Sequence, residues 1–357
     1  MPLDIIIFPL CALGLGVIMT RFMIGVRIVD RPNARSSHEG VVPRTGGIAM
    51  AIAFFVIWTI AASAMPDAVT AARIGQGGVA AFAATALAVF VLSLLDDIWG
   101  APPLAKLGLQ VAAALAFAFL VAGVARLDLP GDPALPLGYW GGLAAVLWIV
   151  FFMNAFNFMD GINGVAGGSA IIACLTLALA GASTGQSFLV LTNLILVSAI
   201  LGFLVFNFPA GRIFMGDSGS QFLGFVIAGL AVWAAGPGPA HVPIYLVPMA
   251  FAPFIFDVLV TLGYRARLKR NLLSAHNEHL YQIATKLGWS HAQVASAYFV
   301  LAVIGAALGL RADAMGLAAS LLALMFYLMG LSAVAAWIYR TGFRSGVADR
   351  PSGTSAS

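Results

Sequence analysis

The sequence predicts an all-α, polytopic membrane bundle. Three observations carry that prediction. Of 357 residues, 61% are hydrophobic and only 9% charged, against about a quarter charged in soluble domains. Apolar runs of about 20 residues, the length that crosses a bilayer, recur along the chain. The basic residues fall mainly on alternate breaks between those runs. No soluble core could bury this much apolar surface, so lipid is the solvent.

The predicted spans are 5–25, 46–66, 78–95, 105–124, 139–156, 165–182, 187–207, 219–236, 243–263, 292–310 and 315–338, about eleven helices by length and hydropathy. The first follows Asp4 rather than a basic stretch and lacks a small-residue cleavage site, so it reads as a retained helix. There is no internal repeat and no inverted-half symmetry. Residues 1–340 read as one integral-membrane domain, and the Ser/Gly-rich tail 341–357 as disordered. Cys11 and Cys174 lie inside apolar runs without metal-ligand spacing and read as packing residues.

An odd helix count puts the termini on opposite sides. With the N-terminus periplasmic and the C-terminus cytoplasmic, only Arg73, Arg126 and Arg311 of the 18 Lys and Arg fall outside. The net charge of +4 therefore reads as orientation rather than as nucleic-acid binding. The same inner breaks hold Asp96, Asp97, Asp160, Asp217, His276 and His279. Asp67, Asp128, Asp132, Asp313 and His241 fall on outer breaks beside Pro and Gly, as ordinary turns do.

Five inner segments carry chemistry. The first, 31–47, holds Arg31, Arg35, His38 and Arg44 among Gly and Pro. Arginines and backbone N–H groups suit diphosphate oxygens, although a loop that only grips lipid headgroups has the same composition. In the second, adjacent carboxylates of Asp96 and Asp97 end an apolar helix. There they oppose the macrodipole and need compensation by a cation or a proton-transfer role. Lys106 follows at the start of the next helix, where a phosphate would be a suitable partner and a snorkelling lysine is the plainer reading.

In the third segment Asn154, Asn157 and Asp160 share one helical face, followed by glycines that admit close backbone approach. Asn163 lies among those glycines. The fourth runs from Asn207 through Phe214 to a Gly-Asp-Ser-Gly-Ser stretch around Asp217 that opens a helix. Asp217 there is either an N-cap or a ligand for a divalent cation. The fifth is a long basic loop with His276 and His279, which share a face if the loop is helical there. Zinc is a competing reading of the histidines, and an amphipathic segment on anionic headgroups explains the arginines. Asp257, inside 243–263, is expected to pair with a basic residue near the same boundary, such as Arg265.

Taken in order, 31–47, Asp96-Asp97, Lys106, 154–164, 207–220 and 276–282 resemble the polyprenyl-phosphate N-acetylhexosamine-1-phosphate transferase family, glycosyltransferase family 4, over roughly residues 1–340. The resemblance implies a Mg²⁺-dependent reaction, with Mn²⁺ as a substitute metal, in a bacterial inner membrane with the active site on the cytoplasmic face. A polyprenyl phosphate attacks the β-phosphate of a UDP-N-acetylhexosamine and releases UMP. By position it makes Asp217 the metal ligand and Asp96 or Asp97 the group that deprotonates or orients the lipid phosphate. Asp160, Asn157 and Lys106 would line the phosphates, Asn207 and Phe214 the uridine, and His276 and His279 the diphosphate or sugar. Arg44, His38, Asn154 and Asn163 complete the implied substrate-binding set.

Two departures matter. Relatives often carry Asp at the position of Asn163, and the histidine segment reads His-Asn-Glu-His rather than three consecutive histidines. The second points away from the phospho-muramoyl-pentapeptide branch and toward the branch that starts O-antigen or other surface glycans. Partners are then the UDP-sugar, the lipid phosphate and membrane lipid, without nucleic acid; the particular sugar and a homodimer stay open. Two other classes compete: a secondary transporter or lipid flippase, which needs ionisable residues near the midplane, and a zinc hydrolase using His276, Glu278 and His279.

Overall fold

The computed structural model describes residues 3–26, 29–30, 42–72, 74–131, 134–236, 241–271 and 277–346. The chain runs through α1 (Asp4–Met23), α2 (Gly46–Ala64), α3 (Pro66–Thr70), α4 (Gly75–Trp99), α5 (Pro103–Leu120), α6 (Trp140–Met159), α7 (Val165–Ser183) and α8 (Ser187–Asn207). It continues through α9 (Gly216–Ala234), α10 (Leu246–Ala250), α11 (Ala252–Arg267), α12 (Leu280–Lys286) and α13 (His291–Arg344). Two short antiparallel ladders pin connections at the ends: Val29–Asp30 with Val42–Pro43, and Arg126–Leu127 with Leu135–Pro136.

Among the described residues, eight helices are long and apolar enough to cross a membrane: α1, α2, α4, α5, α6, α7, α8 and α13. The chain is an all-α, multi-pass membrane protein. The predicted segments 292–310 and 315–338 are the two arms of the 54-residue α13, which folds back at Gly316 (φ 74°, ψ 168°) so that Tyr327 OH donates to the Leu301 carbonyl at 2.7 Å. A straight helix of that length would be about 80 Å, far beyond one bilayer crossing. The predicted segment 243–263 is divided at Phe251 into α10 and α11. α13 continues through Arg344, so the beginning of the tail expected to be disordered is helical.

α9 is the central post. Every residue of it except Asp217 is buried, from Gly216 to Ala234, and it packs against α2, α4, α6 and α7. A helix apolar on all sides is stable only when surrounded, and its polar first turn is what lowers its overall hydropathy. Its aromatic surroundings interlock edge to face: Phe82 with Trp233 at 5.6 Å, Phe117 with Phe225 at 5.8 Å and Phe54 with Phe222 at 5.8 Å between ring centroids. The buried Trp58 indole donates to Thr192 Oγ1 at 2.9 Å, so no polar cost is left at that contact. Large apolar side chains on the outer faces, among them Leu10, Phe119, Leu147, Leu179, Val205 and Phe326, remain exposed for lipid.

The up-and-down course gathers the C-terminal ends of α4, α6 and α8 with the N-terminal ends of α2, α5, α7 and α9 at one end of the bundle. At the opposite end Asp128 meets His241 at 2.9 Å and Arg126 at 3.0 Å, while Asp313, inside α13 and not in a turn, accepts from Tyr245 at 2.9 Å; Asp67 lies in α3 and Asp132 outside the described residues.

Candidate active site

The turn between α4 and α5 fixes the first carboxylate. α4 closes on Gly100 in the left-handed region (φ 72°), and the Ala101 amide then donates to Asp96 Oδ1 at 2.7 Å. Pro103 begins α5 at a position where the missing N–H costs nothing. One turn on, Lys106 Nζ reaches Asp96 Oδ2 at 2.5 Å and Asp217 Oδ2 at 2.9 Å. An acid at the end of α4 and a cation at the start of α5 each oppose the local dipole, and their pairing offsets both.

Asp97 does something different from its neighbour. Met215, the N-cap residue of α9, contributes no side-chain cap. Asp97 reaches across from α4 instead, accepting from the amides of Asp217 at 3.0 Å and Ser218 at 2.8 Å. Of the two readings of Asp217, the N-cap is thereby excluded: its carboxylate lies in the first turn and accepts from Lys106 and from Asn157 Nδ2, the latter at 3.1 Å. Gly216 makes this approach possible. It sits at φ 72°, and a Cβ there would stand 2.5 Å from the Arg44 carbonyl and 3.0 Å from Asp97 Oδ2.

The polar face of α6 supplies the third wall. Asn157 bridges Asp217 and Ser220, whose Oγ lies 2.8 Å from its amide nitrogen. Asn154 donates to Gln110 Oε1 at 2.6 Å, and Gln110 donates to Gln221 Oε1 at 3.0 Å. Asp160 follows as the C-cap residue of α6. Burial holds its carboxyl well above the usual carboxylate range; the charges of Asp217 and Asp97 push the same way, and Arg44 pulls against them. Arg44, just before α2, thus acts on the same cluster.

Four other expected residues lie around this core. Asn207 is buried and staples two backbone stretches, accepting from Gly164 N at 2.7 Å and donating to Ile213 O at 2.8 Å. Asn163 donates to Pro209 O at 3.1 Å. The Phe214 backbone is bonded to Pro43 at 2.7 Å and Gly46 at 2.9 Å, which joins the 207–216 loop to the start of α2. His279 precedes α12, is 2% exposed, and its Nδ1 lies 3.2 Å from Asp257 Oδ1. His38 and His276 lie outside the described residues. The expected Asp257–Arg265 pair does not form: Arg265 meets Glu278 at 2.6 Å, and Asp257 is taken by the 279–281 segment.

Gln110, Gln221 and Ser220 belong to the site but were not among the predicted residues. A signal was present: Gln110 is one helical turn beyond Lys106 and Gln221 one turn beyond Asp217, so each extends a polar face already identified. Asp96, Lys106, Gln110 and Gln221 also line a cavity of about 270 Å³ whose other walls, Ser93 aside, are apolar, including Leu92, Leu95, Trp99, Leu109 and Met153. One polar end and a greasy interior suit an amphiphile with a charged head.

The donor set fits a hard divalent cation held partly by substrate. The Asp96 and Asp217 carboxylates converge on one ammonium group. Mg²⁺ needs only one or two carboxylates when phosphates and water fill its shell. Among the described residues no group of three His, Cys, Asp or Glu is placed to hold a metal, and His276 of the zinc reading lies outside them.

The family model for glycosyl transferase family 4 matches residues 79–235, which span α4 to α9. The chain is 32% identical over 308 residues to a phospho-N-acetylmuramoyl-pentapeptide-transferase of Nostoc, covering 78% of this chain and 76% of that one. It is 30% identical over 285 residues to a decaprenyl-phosphate N-acetylglucosaminephosphotransferase of Mycolicibacterium smegmatis (74% and 70%). It is 29% identical over 278 residues to a probable undecaprenyl-phosphate N-acetylglucosaminyl 1-phosphate transferase of Bacillus subtilis (77% and 74%). The fold and site therefore define a membrane-embedded phosphotransferase. The chain belongs to the polyprenyl-phosphate N-acetylhexosamine-1-phosphate transferases of glycosyl transferase family 4.

Proposed function

We propose that this enzyme transfers an N-acetylhexosamine 1-phosphate from a UDP-sugar to a polyprenyl phosphate at the cytoplasmic face of a bacterial inner membrane, and that the product starts a surface glycan such as O-antigen. One observation carries the reading: Lys106 joins the Asp96 and Asp217 carboxylates at the polar end of an apolar cavity. The excess of Lys and Arg on the inner breaks supports the cytoplasmic assignment.

The lipid tail stays in the bilayer and its phosphate enters beside Lys106. A nonbridging phosphate oxygen attacks the β-phosphorus of the UDP-sugar. The bond from that phosphorus to the bridging oxygen breaks, and UMP departs with the electron pair. Lys106 neutralises phosphate charge in both states. Asp96, fixed by Ala101, orients the incoming phosphate and takes its proton when it arrives as the monoanion. Asn157 and Asp97 fix Asp217, the first through its side chain and the second through the α9 amides. Mg²⁺, which Asp217 and substrate phosphate oxygens would hold, would supply charge stabilisation, which with positioning makes up most of phosphoryl-transfer catalysis.

The muramoyl-pentapeptide donor is the second reading, favoured by the Nostoc relative. Purified enzyme incubated with polyprenyl phosphate, Mg²⁺ and a panel of UDP-N-acetylhexosamines, including UDP-N-acetylmuramoyl-pentapeptide, decides. Lipid product and UMP from a simple hexosamine donor are expected. Product from the pentapeptide donor alone replaces the glycan assignment. No product from any donor with folded enzyme removes the transferase reading.

A further inference from the structure

Asp257 on α11 has no part in the chemistry above, yet it is completely buried and heavily bonded. Its Oδ1 accepts from Leu280 N at 2.9 Å and Thr261 Oγ1 at 3.0 Å, and lies 3.2 Å from His279 Nδ1. Its Oδ2 accepts from Tyr281 N at 3.3 Å and Tyr298 OH at 2.5 Å. A buried carboxylate is retained at a large desolvation cost and is tolerated only when its lone pairs are met. Here three of the donors come from consecutive residues 279–281. Asp257 therefore fixes the start of α12 against α11 and, through Tyr298, against α13.

That start of α12 points back at the site. The Tyr281 hydroxyl donates to the Phe158 carbonyl at 3.1 Å. A Cβ on Gly161 would lie 2.0 Å from the same hydroxyl, so the ring is seated against a position where only glycine fits. The His279 ring stacks on Tyr281 with centroids 5.8 Å apart and lies 6.1 Å from the Phe158 ring. Phe158 and Gly161 bracket Asp160, the C-cap residue of α6 whose environment is set by Asp217, Asp97 and Arg44.

We propose that Asp257 is a positioning residue for the transfer reaction: it locks residues 279–281, Tyr281 braces the 158–161 turn, and that turn sets where Asp160 stands. The inference rests on the reading that Asp160 belongs to the active site. His279 then serves the site through Asp257 and Tyr281.

The test uses Asp257→Asn, which presents an amide N–H to a ring of donors, and Tyr281→Phe, which removes only the hydroxyl. Hydrogen exchange in purified, detergent-solubilised enzyme should quicken at 157–164 in both variants and stay unchanged at 50–60 in α2. Turnover should fall at least about tenfold in Asp257→Asn with KM for the UDP-sugar within about threefold, as a misplaced catalytic group should produce. Placed on Asp160→Asn, Asp257→Asn should cost little more. Unchanged exchange at 157–164 in Tyr281→Phe overturns the proposal, as do losses that simply multiply in the double variant. If Asp257→Asn does not fold, the exchange result for Tyr281→Phe decides alone. Wild-type enzyme that makes no product from any donor removes the transferase reading, while the exchange result still reports on the brace.

Discussion

Asp97 accepts the backbone amide of Asp217 at 3.0 Å, so the carboxylate that ends α4 sets the position of the one that begins α9. The second oxygen of Asp97 takes the Ser218 amide at 2.8 Å. Two adjacent acids thereby separate into different tasks. Asp96 faces Lys106 and the cavity, and Asp97 holds the N-terminus of α9 in register.

Asp97→Asn should therefore be the more destabilising of the two neutral variants. It places an amide donor against one of the two backbone donors, at a cost of about 1–3 kcal/mol. Asp96→Asn keeps an acceptor for the Ala101 amide and should leave the melting temperature closer to wild type. Thermal unfolding in detergent ranks the two; a reversed order would mean that Asp97 does not support α9.

Lys106→Gln removes the ammonium between two carboxylates. Turnover should fall about a hundredfold, the scale of losing one preorganised charge at a transferring phosphoryl group. UMP release at saturating donor measures it. Near-normal release would make Lys106 an interfacial lysine only.

Removal of divalent metal with a chelator should stop product formation. Mg²⁺ or Mn²⁺ should restore it and Zn²⁺ should not, because the donors are hard carboxylate and phosphate oxygens. Recovery with Zn²⁺ alone would contradict the donor assignment.

Gln110→Leu leaves the Asn154 amide and the Gln221 carbonyl without their present partner. The loss should be about 1–3 kcal/mol of stability, read from the unfolding midpoint. No measurable loss would show that water replaces the glutamine.

Asp160 gives a pH signature. Burial and the Asp217 and Asp97 charges raise its pKa in the folded chain. Between the unfolded and folded values the folded chain keeps a proton that the unfolded chain has lost. The folded state is then favoured at low pH and loses that advantage as pH climbs toward the raised value. Asp160→Asn should flatten the decline in melting temperature as pH rises above the ordinary carboxylate range. Parallel declines in the two proteins would remove the effect.

The bundle was legible because its solvent is lipid: apolar runs of spanning length have one structural use. The clustering of Asp96, Lys106, Asn157 and Asp217 followed from their common place at helix ends on one side. The division of labour between Asp96 and Asp97 was not legible, since adjacent carboxylates look alike until α9 is placed between α4 and α6. The Asp257–Arg265 expectation failed for a related reason. The two lie about two turns apart on α11, but Arg265 reaches forward to Glu278, whose position depends on a loop with no periodic pattern. The break at Phe251 is a tertiary outcome that a hydropathy window does not resolve, whereas the two arms of α13 either side of Gly316 were legible as separate apolar runs.

UMP release by Asp217→Asn, with Mg²⁺ and the preferred donor and with a wild-type-like melting temperature, tests the central claim most directly. Turnover should drop by about a thousandfold, as loss of a metal-bearing carboxylate in phosphoryl transfer should produce. Turnover within a few-fold of wild type would place the chemistry somewhere other than the Asp96–Lys106–Asp217 cluster.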